Sequence, residues 1–309
     1  MMKPLQKTLR AAIVQAAPLL FDKEGTLDNV CRQIGEAGRN GARLIVFPES
    51  LIPCYPYGLT FGFTVGSRSE AGRRDWKTYY DNALAVPGND TRRIGDAAKE
   101  ADAYVSIGIT ERDRANASLY CTNLIFGPDG TLLAKHRKIK PTGAERYIGA
   151  DSHDKATYFP VTDTPWGPMG TLICWENYMP LARIALYDKG ISIYLAPNTN
   201  DNPEWQDTIR HIAIESHCYV FNADQYFTKA MYPATLLETA EIAALNDTVC
   251  RGGSCIIDPY GHYVTEPVWD REAIIYADLD FDKVPMSRME FDGSGHYSRP
   301  DILELIVHE

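Results

Sequence analysis

The sequence predicts a mixed-sheet α/β or layered αββα domain, and three observations predict it. Short β-branched runs alternate with amphipathic helical stretches, and hairpins interrupt that alternation. No repeat, low-complexity tract or Pro/Ser-rich linker divides the 309 residues. Length alone would allow two domains. The missing linker favours one, spanning residues 1–309.

The elements follow in order. Leu9 to Gln15 reads as a strand. Thr26 to Asn40 then sets Leu27, Val30, Ile34 and Ala37 at helical spacing, with Gly41 as the C-terminal cap. Arg43 to Phe47 is a short buried strand that stops at Pro48. Asp90 to Asp102 is the next helix and Tyr104 to Thr110 the next strand. Leu119 to Gly127 and Leu132 to Lys140 flank Pro128-Asp129-Gly130, whose residue types suit a hairpin tip. Met169 to Cys174 is a strand running into a turn. Met179 to Lys189 is a helix closed by Gly190, and Ile191 to Ala196 is a strand. Glu204 to His217 reads as a helix and Cys218 to Ala223 as a strand. Gly253 to Asp258 and His262 to Thr265 form a second hairpin around Tyr260-Gly261, and Glu272 to Leu279 closes the sheet.

Composition excludes whole classes. The chain is 45% hydrophobic and 23% charged, ordinary for a globular protein and wrong for a disordered or coiled-coil one. Its net charge of −10 gives no bulk attraction to phosphate backbones or anionic lipid, so neither nucleic acid nor membrane is an expected partner. The apolar stretches at 42–48 and 191–197 are too short to span a bilayer. The first seven residues carry two lysines but no apolar h-region, so no signal peptide is read. Cysteines 31, 54, 121, 174, 218, 250 and 255 are scattered singly, which argues against a disulfide framework or a structural zinc site. A cytoplasmic protein with reduced thiols is expected.

Three segments put a reactive residue where a strand ends. In Phe47-Pro48-Glu49-Ser50, a carboxylate follows a buried strand and a proline, which holds it at a sheet rim; the alternative is a loop-exposed Glu. In Lys135-His136-Arg137-Lys138, running on to Lys140-Pro141-Thr142, cations crowd the end of a hairpin strand. Such a run is ordinarily a solvated face, though some side chains here can turn inward. In Cys174-Trp175-Glu176-Asn177, a Cys sits at a strand-to-helix turn with backbone N–H groups nearby, mechanically like a nucleophile elbow; the alternative is a buried structural Cys.

In order and in surrounding text, these segments resemble the nitrilase (carbon–nitrogen hydrolase) superfamily, whose triad is Glu, Lys, Cys. The resemblance covers nearly the whole chain, from Ala11-Ala12-Ile13-Val14-Gln15 to His296-Tyr297-Ser298-Arg299-Pro300-Asp301. It is similar to the nitrilase branch, nearest the arylacetonitrilase and plant-type enzymes. The features are Phe47-Pro48-Glu49, Tyr55-Pro56-Tyr57-Gly58-Leu59 and, most specifically, Cys174-Trp175-Glu176-Asn177 with Met179-Pro180-Leu181. The resemblance implies a four-layer αββα sandwich with two mixed sheets. It implies Cys174 as nucleophile, Glu49 as general base and Lys138 as the stabilising cation, with the Trp175 N–H also positioned to stabilise charge. Glu145 matches the additional glutamate that positions substrate or lysine; its alternative reading is an ion-pair partner of Arg146 or Arg137. Tyr55, Trp175 and Asn198 match positions near the substrate.

Other residues read more plainly. Tyr57 and Phe61 suit pocket walls or core, His136 a structural role or one supporting the residues at the site, and His211 and His217 packing. No His/Cys/Asp cluster has metal spacing, so neither cofactor nor metal is expected. Two departures bear on the pocket. Residues 147–154 lack the family's Trp and glycine-rich loop, and Cys54 stands where Gly is usual, able to narrow the pocket or bring a thiol to it.

The implied activity is hydrolysis of an aliphatic or arylaliphatic nitrile to acid and ammonia through a thioimidate and a thioester. The alternatives are a related amidase or cyanide-using hydrolase with the same triad, and a non-catalytic scaffold of the same fold. Assembly is expected as a homodimer or larger homo-oligomer, with the helix after the nucleophile and the tail 281–309 at interfaces. The short stretch after Asp301 favours modest oligomers over long filaments. Residues 229–246 read as an interface insertion or a surface loop.

Overall fold

The structure, a computed structural model, describes residues 5–308. Met1 to Pro4, where the leader reading begins, and Glu309 lie outside the described residues. The first half runs β1 (Thr8–Gln15), α1 (Lys23–Arg39), β2 (Leu44–Val46), α2 (Glu70–Asn82), α3 (Asn89–Ala101), then β3 (Tyr104–Arg112), β4 (Leu119–Phe126) and β5 (Leu132–Arg137). The second half runs β6 (Val161–Thr164), β7 (Gly167–Thr171), α4 (Pro180–Tyr187), β8 (Ile193–Pro197), α5 (Pro203–Ser216), β9 (Tyr219–Ala223) and β10 (Tyr226–Thr228). Short helices α6 (Ala234–Leu237) and α7 (Ala240–Ala243) lead to β11 (Thr248–Ile257), β12 (Tyr263–Trp269), β13 (Ala273–Asp280) and α8 (Lys283–Arg288).

These strands form two mixed sheets. One has the order β13-β1-β2-β3-β4-β5, parallel at β1-β2-β3 and antiparallel elsewhere. The other has the order β10-β11-β9-β8-β7-β6, parallel at β7-β8-β9, with β12 paired to β11. The period-2 alternation of β1 explains the layering. Leu9, Ala11 and Ile13 pack against Met169, Ile193, Leu195 and Phe221 of the other sheet. Ala12 and Val14 face α1 and α3, meeting Leu27, Val30, Ile34, Ile94 and Ala98. On the far side, Tyr194, Ala196 and Val220 pack under α4 and α5, against Leu186, Trp205, Ile209 and Ile212. The layers are therefore helix, sheet, sheet, helix, as expected.

The differences from the sequence reading have local causes. Helix α2 was not anticipated: its inward face is Gly72 with the aromatic residues Trp76, Tyr79 and Tyr80, set among Arg, Lys and Asp, and Trp76 and Tyr80 are only partly buried. Strand β6 is short and partly exposed. Residues 229–246 are not a bare surface loop: Leu236 and Ile242 are buried with Phe227, against Tyr57. His211 does not pack; its side chain is 64% exposed and lies 3.8 Å from Glu215. Its reading as packing missed that it falls on the outer face of α5. The cation run turns inward: His136, Arg137 and Lys138 are all buried, and only Lys140 among them and their neighbour Lys135 is close to half exposed. Arg137 fills that environment by forking onto the buried Glu111 carboxylate, at 2.8 and 2.7 Å.

Candidate active site

Three strand ends converge at one rim of the two sheets. Glu49 follows β2, and its backbone is fixed from three sides. Gly108 N–H donates to the Pro48 carbonyl at 3.0 Å, Leu51 N–H donates to the Gly108 carbonyl at 2.9 Å, and Gln225 Nε2 donates to the Glu49 carbonyl at 2.6 Å. Position 108 must be glycine for this approach: a Cβ there would lie 2.4 Å from Glu49 Cα. Lys138 follows β5, its N–H donating to the Cys121 carbonyl at 2.8 Å. Cys174 opens the turn after β7 in the left-handed region, at φ 50°. Asn177 closes that turn by donating Nδ2 to the Cys174 and Leu172 carbonyls, at 2.7 and 3.1 Å. Pro180 at the start of α4 suits a helix's first turn, so the turn runs directly into a helix.

The charged groups form one buried unit. Lys138 Nζ donates to Glu49 Oε1 at 2.8 Å and to both Glu145 oxygens, at 3.1 and 2.9 Å. The side chains of Glu49 and Lys138 are 0% and 1% exposed. Cys121 Sγ also donates to Glu49 Oε1, at 3.5 Å. Glu49 Oε2 accepts no hydrogen bond of good geometry among the described residues, and the carboxylate interacts with the Cys174 thiol. Tyr55 Oη donates to Glu145 Oε1 at 2.7 Å, and Thr142 N–H donates to Oε2 at 2.9 Å. Glu145 is therefore bonded to the lysine and not to Arg137.

Burial sets the protonation pattern. It pushes the Glu49 carboxyl above its usual range; Lys138 opposes this and Glu145 adds to it. Burial also pushes the Cys174 thiol well up, with Glu49 adding and Lys138 opposing. For Lys138, burial acts against the charge, but Glu49, Cys174, Cys121 and Glu145 outweigh it and hold the ammonium well above its usual range. The result is a thiol, a carboxylate able to accept its proton, and a fixed cation. Such a set can deliver a sulfur nucleophile to a polarised carbon and stabilise the charge that develops.

Around this unit, Trp175 follows Cys174 with half its surface exposed. Asn198 is buried and bonds within the protein, donating Nδ2 to Asn222 Oδ1 at 2.6 Å; it touches no triad member through these bonds. Tyr57 stacks on Phe227 at 5.5 Å and Phe61 packs on Tyr79 at 5.6 Å, so both serve the core. Cys54 is buried among Leu20, Phe227 and Tyr232. In the altered loop, Tyr147 stacks on Phe63 at 5.8 Å. A cavity of about 30 Å³, one water's share of liquid, lies beside Glu145 between Tyr55, Tyr79, Cys121 and Ile148. A far larger one, about 610 Å³, opens at the start of α3 and includes none of Glu49, Lys138 and Cys174. Among the described residues no group of three or more His, Cys, Asp or Glu is arranged to hold a metal ion.

Gly108, Cys121 and Gln225 were not singled out in the sequence, and Asn177 only as part of the Cys174-Trp175-Glu176-Asn177 motif. A glycine inside the apolar run of residues 104–110 was the one available signal, since a strand glycine marks close backbone approach.

The chain is similar to known proteins in both sequence and fold. Residues 10–288 match the carbon–nitrogen hydrolase family. The chain is 46% identical to an aliphatic nitrilase of Sinorhizobium fredii (strain HH103), over 97% of this chain and 96% of that protein. It is 42% identical to a bifunctional nitrilase/nitrile hydratase of Nicotiana tabacum, covering 98% and 86%, and 40% identical to Nitrilase 1 of Arabidopsis thaliana, covering 98% and 87%. In fold it is similar to Saccharomyces cerevisiae Nit3, with a TM-score of 0.73 at 20% identity, over 96% of this chain and 99% of that one. It is likewise similar to the Caenorhabditis elegans NitFhit protein, with a TM-score of 0.76 at 19% identity over 99% and 68%. The chain belongs to the carbon–nitrogen hydrolase family, in its nitrilase branch.

Proposed function

We propose that the protein hydrolyses an aliphatic or arylaliphatic nitrile to the carboxylic acid and ammonia. In this reading Cys174 is the nucleophile, Glu49 the general base and Lys138 the cation opposite the developing charge. Glu145, itself held by Tyr55, orients Lys138. The observation that carries the reading is the buried Glu49–Lys138–Glu145 unit beside the Cys174 thiol. The named activities of its 46% and 42% identical relatives give the substrate class.

The steps follow from the protonation pattern. Cys174 Sγ bonds to the nitrile carbon while Glu49 takes the thiol proton and passes it to nitrogen, leaving a thioimidate. A water then adds to that carbon, both of its protons going in turn through Glu49 to nitrogen, and the carbon–nitrogen bond breaks to release ammonia and leave a thioester. A second water cleaves the resulting thioester to the acid and restores the Cys174 thiol. Two waters are consumed for each nitrile. Lys138 and the Trp175 N–H stabilise the anionic nitrogen and oxygen of these intermediates. If the tetrahedral species expels sulfur in place of ammonia, the product is the amide, an outcome that the name of the Nicotiana relative makes relevant.

The same reading takes the chain as one hydrolase domain over residues 1–309, cytoplasmic and cofactor-free, acting as a homodimer or larger homo-oligomer. Tyr178, Met179 and Leu181 support the assembly: they are large, apolar and exposed where the nucleophile turn meets α4. The test is a panel of aliphatic and arylaliphatic nitriles and their amides, with ammonia, acid and amide quantified. The expected result is acid and ammonia from at least one nitrile. Ammonia from simple amides with every nitrile untouched would replace this reading with an amidase.

A further inference from the structure

Behind the triad lies a second buried ion pair that the proposed chemistry does not use. Glu176 is two residues beyond Cys174, and His136 is two residues before Lys138; their side chains are 1% and 0% exposed. Glu176 Oε2 accepts from His136 Nε2 at 2.8 Å and from Ile173 N–H at 2.6 Å. Its other oxygen, Oε1, accepts from Ile139 N–H at 2.5 Å. Ile139 directly follows Lys138, and Ile173 directly precedes Cys174. One carboxylate thus ties the chain beside the cation to the chain beside the nucleophile. The tie matters because β5 and β7 lie in different sheets, so no strand ladder joins them.

The charge on this carboxylate can be read from its partners. His136 Nδ1 lies 3.0 Å from the Thr157 carbonyl, which only accepts. Nε2 faces a carboxylate that already accepts two peptide N–H groups. Both ring nitrogens therefore donate, which requires the imidazolium. Burial works against both charges, yet their attraction prevails, holding His136 above the usual imidazole range and Glu176 below the usual carboxylate range. From β8, Tyr194 also faces Glu176, but burial keeps that phenol protonated, and it donates to Asn177 Oδ1 at 2.6 Å. The counter-charge comes from His136.

We propose that Glu176, paired to His136, is a positioning residue that sets Lys138 and Cys174 at their working separation, so that its loss slows the chemistry and not substrate binding. This rests on the assignment of Cys174 and Lys138 made above. Glu176→Gln keeps the size but turns an NH₂ group toward one of the two peptide donors. The expected result is a fall in kcat of roughly 10- to 100-fold with KM nearly unchanged, the scale of a small displacement of reacting groups. Alkylation of Cys174 by iodoacetamide, followed by peptide mass spectrometry, should slow as well.

His136→Gln is the second variant. It leaves both peptide contacts to Glu176 but removes the cation. Burial then raises Glu176, which takes up a proton as pH falls, so the acid limb of kcat should move to higher pH. A purely packing role would not move that limb. Wild-type kcat in Glu176→Gln with an unmoved limb in His136→Gln overturns the proposal. If Glu176→Gln does not fold, the limb in His136→Gln decides alone. Alkylation needs no nitrile. Slowed alkylation in an enzyme that hydrolyses no nitrile therefore supports the clamp while removing the nitrilase reading.

Discussion

Glu49 is a carboxylate with one oxygen committed to Lys138 and Cys121 and the other left for the thiol. That division of labour makes a prediction about pH. As the proposed base, Glu49 works only when ionised, and burial raises its pKa above the ordinary value of 4.5. Activity should therefore climb with pH along an acid limb that lies above 4.5. Glu49→Gln should lower kcat by roughly 10²- to 10⁴-fold, the usual worth of a general base. Pre-steady-state and steady-state rates across pH check both points, and a limb at or below the ordinary value contradicts them. At this scale the strand-end pattern marked the segments that hold Glu49 and Cys174, whereas Lys138 and Glu145 were named only through the family resemblance. The sequence was uninformative for Cys121 and Gln225, which reach Glu49 from β4 and from beyond β9 through long-range packing that no local pattern encodes.

Elements explain why the reactive groups meet. Strands β2, β5 and β7 each end at the same rim, and each end is pinned by a neighbouring strand or turn. Gly108 in the middle of β3 is the point of closest approach. Gly108→Ala would push a methyl group against the Glu49 backbone, and a backbone cannot rotate away as a side chain can. We expect kcat to drop by about 10²-fold, as a misplacement of the base on the order of 1 Å would cause. The far-ultraviolet circular dichroism should stay unchanged. Equal activity in this variant would show that the Glu49 backbone has slack. Apart from the short strands β6 and β10, the strands and the two hairpins were legible because apolar period and turn residues agree locally. Helix α2 was not, since its inward face is a few aromatic residues, Trp76, Tyr79 and Tyr80, set in a charged sequence and held by tertiary contacts.

The molecule as a whole is two mixed sheets between two helical layers, with the site where the sheets' rims adjoin. Strand alternation made the layering legible; the inward turn of the cation run was not, because charge in sequence ordinarily means solvent. If the proposed assembly uses the exposed run Tyr178, Met179 and Leu181, which extends from the turn at Cys174, the interface adjoins the site. Leu181→Glu should lower the molar mass seen by light scattering toward the monomer, and an unchanged mass would move the interface elsewhere. The account stands on Cys174 as the attacking atom. Intact and peptide mass spectrometry of enzyme quenched during turnover of a nitrile tests that most directly. We predict an adduct of the nitrile or its acyl group on Cys174, absent in Cys174→Ala together with all activity. An adduct on another residue, or turnover that survives Cys174→Ala, would contradict it.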